Sequence, residues 1–211
     1  VYLNNGETGS VTFIGTVSPA GGNLKEPVTE STKKAARCFY ALSQNRADSK
    51  RYPAIDTLDS YSKYLEYPEF IDYSKEKLDE NWVGLVNEAR NILVRGKETE
   101  EQINILGDDS VPIDYHVTLW KSEFVDFVIL QQDAFDKIDA TTSLERQEYM
   151  LKKVINVTRS EFKFEGFEEV AIYFKRLINV FRQMNYTVFK SEEFHKVEEE
   201  ANAVLEERII K

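Results

Sequence analysis

The sequence predicts a mostly α protein, with a short mixed α/β segment over residues 1–60 followed by a helical bundle over residues 61–211. Three observations predict it. After Tyr61, apolar residues recur at helical spacing through almost all of the chain. Before that point, the apolar residues cluster in short β-branched and aromatic runs broken by Pro and Gly. The chain has 211 residues, 42% of them hydrophobic, which is enough for a sizeable core in one domain or two small ones.

The opening Val1-Tyr-Leu-Asn-Asn-Gly lacks an initiator Met and reads as strand and turn, so the chain is expected to be a fragment of a longer protein. Asn4–Gly9 is a turn by composition. Ser10–Val17 is rich in β-branched and aromatic residues and is predicted as a strand. Ser18-Pro-Ala-Gly-Gly22 ends it, because Pro cannot donate to a ladder and paired Gly permits reversal. Glu26-Pro-Val-Thr29 starts a helix or a turn. Periodicity alone does not assign Ala35–Leu42, and Ser43–Arg51 is predicted as a short helix.

Beyond Tyr61, Trp82, Leu85, Val86, Ala89, Ile92 and Leu93 fall on one helix face. Asp79 is the expected cap of this helix and Gly96 its expected stop. A second short helix, Glu98–Leu106, ends at Gly107, and Asp108–Pro112 is a turn. Ile113, Val117, Trp120 and Phe124 mark a long helix reaching about Leu130. Thr142-Ser-Leu-Glu145 has capping-box spacing and opens another helix, with Leu144, Leu151, Val154 and Ile155 facing inward. Phe167–Asn185 and Ser191–Ile210 complete an antiparallel bundle.

Charge and composition exclude several function classes. The 37 acidic against 27 basic side chains give a net charge of −10, and no basic patch is visible, so nucleic acid is not an expected partner. One cysteine, Cys38, permits no internal disulfide and fits a reducing compartment. No apolar run approaches the roughly 20 residues needed to span a bilayer. There is no GxxxxGK(S/T), GxGxxG or HExxH motif. His116 and His195 lack Cys or His neighbours, so no metal ligand is assigned. No nucleophile–base pair is visible, so no catalytic residue is assigned within the chain.

The most informative run is Arg51–Tyr64. Pro53 fixes its own φ and restricts Tyr52, which holds an aromatic ring at the start of a loop. Such a ring is either a packing tyrosine before a turn or a platform for a flat ligand such as a base.

Ser10–Gly22, Glu26-Pro-Val-Thr29, Tyr52-Pro-Ala-Ile-Asp56 with Ser60-Tyr-Ser-Lys-Tyr64, and Leu130-Gln-Gln-Asp-Ala-Phe135 together resemble the catalytic A subunits of V/A-type rotary ATPases. The resemblance runs in order along most of the chain and is strongest over residues 9–64 and 126–155. Aromatic-Pro-Ala-Ile is shared with related rotary and export ATPases. The Ser-Pro-x-Gly-Gly, Glu-Pro-Val-Thr and Ser-Tyr-Ser-x-Tyr elements select the A subunit.

The resemblance implies that residues 1–60 are the last part of a nucleotide-binding domain, joined to a helical domain over 61–211. It implies an adenine pocket bordered by Tyr52, Pro53, Ile129 and Phe135, with ATP or ADP and Mg²⁺ bound in the intact subunit. It also implies that Asp108, Asp109 and Ser110 form a tip that contacts the central stalk. An ordinary solvated turn is the alternative for that tip. The expected partners are a non-catalytic B subunit in an alternating hexameric ring and the central stalk, in a cytoplasmic head peripheral to the membrane. The intact enzyme would couple ATP hydrolysis or synthesis to H⁺ or Na⁺ transport. This chain, lacking the phosphate loop, is expected to be inactive alone.

The chain departs from the family at Ile129, where Tyr is usual, and at Asn23, Lys25 and Asp56. A non-enzymatic helical interaction module and a non-catalytic nucleotide-binding paralogue are the competing readings. The strand, turn and Tyr-Pro loop of residues 1–60 argue against the first.

Overall fold

The structure is a computed structural model and describes residues 4–210. Val1–Leu3, part of the opening expected as strand and turn, lie outside the described residues. Two compact units divide the chain, residues 1–39 and residues 40–211.

In the first unit, the Asn4–Gly9 turn forms, with the Asn5 side chain accepting the Glu7 N–H at 3.1 Å. The expected strand Ser10–Val17 does not form. It joins no ladder among the described residues, and Val11, Phe13 and Ile14 are exposed. β-rich composition alone cannot hold an extended segment whose N–H and C=O groups have no partner strand. A 3₁₀ turn spans Ala20–Gly22, with Gly21 and Gly22 at φ 60° and 70°. Helix α1, Pro27–Ala35, begins where Glu26-Pro-Val-Thr29 predicted. Pro27 occupies the first turn, where its missing N–H costs nothing, and the Glu26 carboxylate accepts from Thr29 at 3.0 Å. The unit closes with the two-residue strand β1, Cys38–Phe39.

The second unit opens with α2, Gln44–Asp48, whose Ser43 hydroxyl accepts from the Arg46 N–H. Strand β2 is Tyr61–Ser62, and α3 is Pro68–Lys77. Helix α4, Trp82–Leu106, has 25 residues and runs straight through Gly96, so the expected stop there and the separate Glu98 helix are not present. Gly96 serves packing instead, lying against Ser122 of the following helix. The start also differs from the Asp79 cap. Asn81 holds the N-cap position, while Asp79 accepts the Asn81 N–H at 2.6 Å and pairs with Lys152 at 2.6 Å.

Gly107, at φ 87°, ends α4, and Asp108–Ser110 forms a 3₁₀ turn. Helix α5, Ile113–Val125, continues into a π turn, Asp126–Leu130, so the long helix to Leu130 is present. Helix α6, Leu144–Arg159, is capped by Ser143 rather than Thr142; the Ser143 hydroxyl accepts from Arg146 N–H at 3.3 Å. The Thr142 hydroxyl is instead turned back to the Asp139 carbonyl at 3.2 Å, and Leu144 is exposed rather than inward. Helix α7 is Phe167–Asn185, as expected. Helix α8, Glu192–Glu206, is capped by Ser191 and stops short of Ile210, because the terminal segment forms an antiparallel bridge between Phe162 and Ile209.

The bundle core lies among α5, α6, α7 and α8 and is built on Phe124, Val154, Phe174, Leu177, Phe181 and Phe194, all buried. Phe124 meets Phe181 edge-on with centroids 4.9 Å apart. Leu85, Leu151 and Ile155 form a second cluster joining α4 to α6. No helix among the described residues is long and apolar enough to cross a membrane.

Candidate functional site

A cleft of about 510 Å³ opens where the loop after α2 meets the segment after the π turn. Its walls include Tyr52, Pro53, Gln131, Gln132 and Phe135, and the end of α7 with the residue after it adds Arg182, Asn185 and Tyr186. The two aromatics that the sequence singled out, 83 residues apart in number, therefore border one cavity. Both are open to solvent, Tyr52 at 53% and Phe135 at 99% exposure. Exposed rings on a concave wall offer flat faces to a flat ligand.

Local chemistry fixes each wall. The Tyr52–Pro53 bond is cis. The loop is pinned behind the ring by Ser43 N–H to the Ala54 carbonyl at 2.8 Å and Asp56 N–H to the Ala41 carbonyl at 2.7 Å. The Asp56 side chain accepts the Leu58 and Asp59 N–H groups at 2.9 and 2.8 Å, a compact Asx turn. On the other wall, the Asp139 carboxylate accepts the Asp133 N–H at 2.6 Å, and Asp133 accepts the Phe135 N–H at 2.9 Å. The Gln132 side chain donates to the Asp139 carbonyl at 2.6 Å. Burial pushes the Asp139 carboxyl above its ordinary value, against the pull of the Asp133 N–H and the Arg146 charge.

The two walls are joined directly. Gln132 N–H donates to the Tyr52 carbonyl at 2.8 Å, and the Gln131 side chain donates to the Lys50 carbonyl at 3.2 Å. The π turn makes this possible: Gln131 N–H reaches back five residues to the Asp126 carbonyl at 2.9 Å, releasing the chain from α5 at the level of the loop. Ile129 sits on that turn, packs against the bundle core, and is not among the residues lining the cleft.

Beneath the loop lies an ion cluster that sequence reasoning missed. Arg51 binds Glu123 through both terminal nitrogens, at 3.0 and 2.7 Å, and Asp126 at 2.8 Å. Arg46 reaches Asp126 at 2.9 Å. Burial would lower the Arg51 pKa, but the hydrogen bonds and charges of Glu123 and Asp126 outweigh it and raise the pKa. The available signal was Glu123 and Asp126 one turn apart at the end of an apolar helix. Nothing in the sequence pointed to Arg182, Asn185 or Tyr186.

Asp108, Asp109 and Ser110 lie at the far end of the α4–α5 hairpin, exposed. Buried His116 anchors that turn, its Nε2 lying 3.1 Å from the Asp108 carbonyl and its ring stacked on Phe167 at 5.0 Å. Structural anchoring accounts for this histidine. Among the described residues, no three His, Cys, Asp or Glu side chains are grouped to hold a metal ion.

Comparison with known proteins places both parts of the chain. Residues 2–62 match the nucleotide-binding domain of the ATP synthase alpha/beta family. Residues 71–165 match the C-terminal domain of V and A type ATP synthase. The V-type ATP synthase alpha chain of Borrelia duttonii is 42% identical over 201 residues, covering 94% of this chain and 32% of that protein. The V-type ATP synthase alpha chain of Protochlamydia amoebophila is 36% identical over 208 residues, covering 99% of this chain and 35% of that protein. A solved ATP synthase subunit, NeqB from Nanoarcheaum equitans, has a TM-score of 0.48 at 20% identity, over 67% of this chain and 33% of that one. The chain thus spans about a third of the length of the curated relatives it matches. In sequence and in the order of its two matched regions, the chain belongs to the V/A-type ATP synthase alpha-chain family.

Proposed function

We propose that this chain supplies the adenine side of the nucleotide pocket, and the stalk-contacting helical domain, of a catalytic V/A-type alpha (A) subunit. The intact complex would couple ATP hydrolysis or synthesis to H⁺ or Na⁺ transport. In this reading residues 1–60 belong to the nucleotide-binding domain and residues 61–211 to the helical domain. The observation that carries the reading is the meeting of the exposed Tyr52 and Phe135 rings on one cleft, together with the family membership.

Tyr52 and Phe135 would take the faces or edge of the base, with Pro53 as an apolar floor. Stacking of a base on an aromatic face is worth about 1–3 kcal/mol and tolerates different bases. Ile129 would support the same wall from the core side. Mg²⁺ would arrive with the triphosphate, and the phosphates would be handled by parts of the intact subunit outside this sequence, since it carries no phosphate-loop motif. Positioning and charge stabilisation dominate phosphoryl transfer, and an arginine from a neighbouring B subunit is the expected contributor there. Asp108, Asp109 and Ser110 would meet the central stalk. The assembly would be a cytoplasmic head, peripheral to the membrane.

The test is nucleotide titration of the intact alpha subunit assembled with its ring partners. Tyr52→Ala and Phe135→Ala should each weaken ATP binding by about 1–3 kcal/mol. Neither should change binding of tripolyphosphate, which has no base. Unchanged ATP affinity in both variants would overturn the adenine assignment.

A further inference from the structure

We propose that Arg51 is a positioning residue that locks the Tyr52 ring to helix α5 through Glu123 and Asp126, so that movement of the bundle is delivered to the cleft. The proposal rests on the adenine reading of that cleft. Arg51 does not line the cavity; its side chain points into the ion cluster beneath the loop. Tyr52 is its covalent neighbour.

The bonding forms a closed circuit. The Arg51 side chain holds Asp126 at 2.8 Å and spans both Glu123 oxygens at 3.0 and 2.7 Å. The Asp126 main-chain carbonyl accepts the Gln131 N–H at 2.9 Å. The next residue, Gln132, returns its N–H to the Tyr52 carbonyl at 2.8 Å. The Arg51–Tyr52 peptide bond closes the loop. Side-chain, helical and loop hydrogen bonds therefore all fix one geometry between the end of α5 and the Tyr52 main chain that carries the ring.

The joint suits force transmission. Asp126 is only 5% exposed, and the Arg51 guanidinium lies 4.7 Å from the centroid of the Phe127 ring, so its charges are poorly screened by solvent. A bidentate arginine–carboxylate pair is directional as well as strong, unlike a lysine pair. At its other end, α5 starts at Ile113, joined to the Asp108–Ser110 turn through Val111 and Pro112. Its 13 residues make a rod about 20 Å long at 1.5 Å per residue. Displacement of the tip would reach the Arg51 joint through this rod as a rigid-body shift. Tyr52 would follow because the circuit leaves it no independent position.

The test is a double-mutant cycle in the intact alpha subunit within its complex, read by binding of a fluorescent ADP analogue and of tripolyphosphate. Arg51→Ala should weaken the nucleotide by roughly five-fold or more, the low end of lost base stacking. It should leave tripolyphosphate binding unchanged. Arg51→Ala added to Tyr52→Ala should cost nothing further, because Arg51 acts through that ring. Arg51→Lys and Glu123→Gln should show smaller losses with the same non-additivity, and they carry the test if Arg51→Ala does not fold. Full additivity, or wild-type affinity in the arginine variants while Tyr52→Ala is weakened, overturns the positioning role and leaves the adenine reading standing. Wild-type affinity in Tyr52→Ala overturns the positioning role, and wild-type affinity in Phe135→Ala as well overturns the adenine reading with it.

Discussion

Gly96 of α4 and Ser122 of α5 approach so closely that a Cβ on the glycine would fall 2.1 Å from the serine Cβ and 2.2 Å from its Oγ. The α4–α5 hairpin, which carries the tip at one end and the ion cluster at the other, is therefore set by a contact only glycine permits.

Gly96→Ala should destabilise the protein despite the better helix propensity of alanine. Propensity favours Ala over Gly by about 1 kcal/mol. Overpacking costs about 1–3 kcal/mol, and this clash is with a Cβ that no rotamer change can move. A net loss is expected in urea unfolding. Ser122→Gly should recover much of it in the double variant, whereas Ser122→Ala should not, because it keeps the offending Cβ. Wild-type stability in Gly96→Ala would show that the two helices slide apart at little cost.

That glycine also marks a limit of sequence reading. A Gly inside an amphipathic run looks like a stop, and only the facing helix shows it to be a contact. The same limit explains the other misses. Ser10–Val17 has strand composition, but a strand needs a partner that composition does not supply. Thr142 and Ser143 are equally good caps by type; the Asp139 carbonyl decides between them by taking the Thr142 hydroxyl. By contrast, α7 was legible to the residue, because its Phe, Leu, Ile and Val positions repeat without interruption. At the cleft, Tyr52 and Phe135 were reachable through their motifs. Arg182 and the Arg51–Glu123–Asp126 cluster were not: the Arg51 pairings span 72 and 75 residues, and only the Glu123–Asp126 spacing on one helix was visible locally.

Asp108→Ala and Asp109→Ala should leave the stability of the chain within about 0.5 kcal/mol of the parent, as expected for exposed side chains. The anchor of the turn is His116 on the Asp108 main-chain carbonyl, which these substitutions keep. In the assembled complex, the double variant should lower the ions moved per ATP hydrolysed if the tip meets the stalk. An unchanged ratio would make the tip an ordinary solvated turn.

The Glu198 carboxylate fastens α8 to α6. It accepts from Tyr149, lies 2.8 Å from Lys153 Nζ and 3.4 Å from His195 Nδ1. Burial raises its pKa, but the bonds from Lys153 and Tyr149 outweigh that and hold it below its ordinary 4.5. Burial and the same carboxylate push the Tyr149 phenol up to about 12. A depressed carboxyl contributes stability above its unfolded value and loses it as pH falls through the folded one. Glu198→Gln should therefore cost about 1.5–3 kcal/mol at pH 7, the range for hydrogen bonds to a charged group. The gap from the parent should narrow as pH drops below 4.5. A gap independent of pH would assign the contact to shape rather than charge.

Asp139 should behave in the opposite sense. It is buried beside the cleft, and desolvation raises its pKa above 3.8, with Asp136 and Asp133 adding repulsion and the Asp133 N–H and Arg146 opposing. The native state then holds this proton more tightly than the unfolded chain does. Its contribution is complete below 3.8 and is lost as pH rises through the folded value. At pH 7 the charged form is a burden that Asp139→Asn removes, while the amide oxygen can still accept the Asp133 N–H now bound at 2.6 Å. The variant should be at least as stable as the parent at pH 7 in urea unfolding. Its advantage should shrink as pH is lowered towards 3.8. A variant less stable than the parent at pH 7 would mean that the pull of Arg146 on the carboxylate exceeds the cost of burying it.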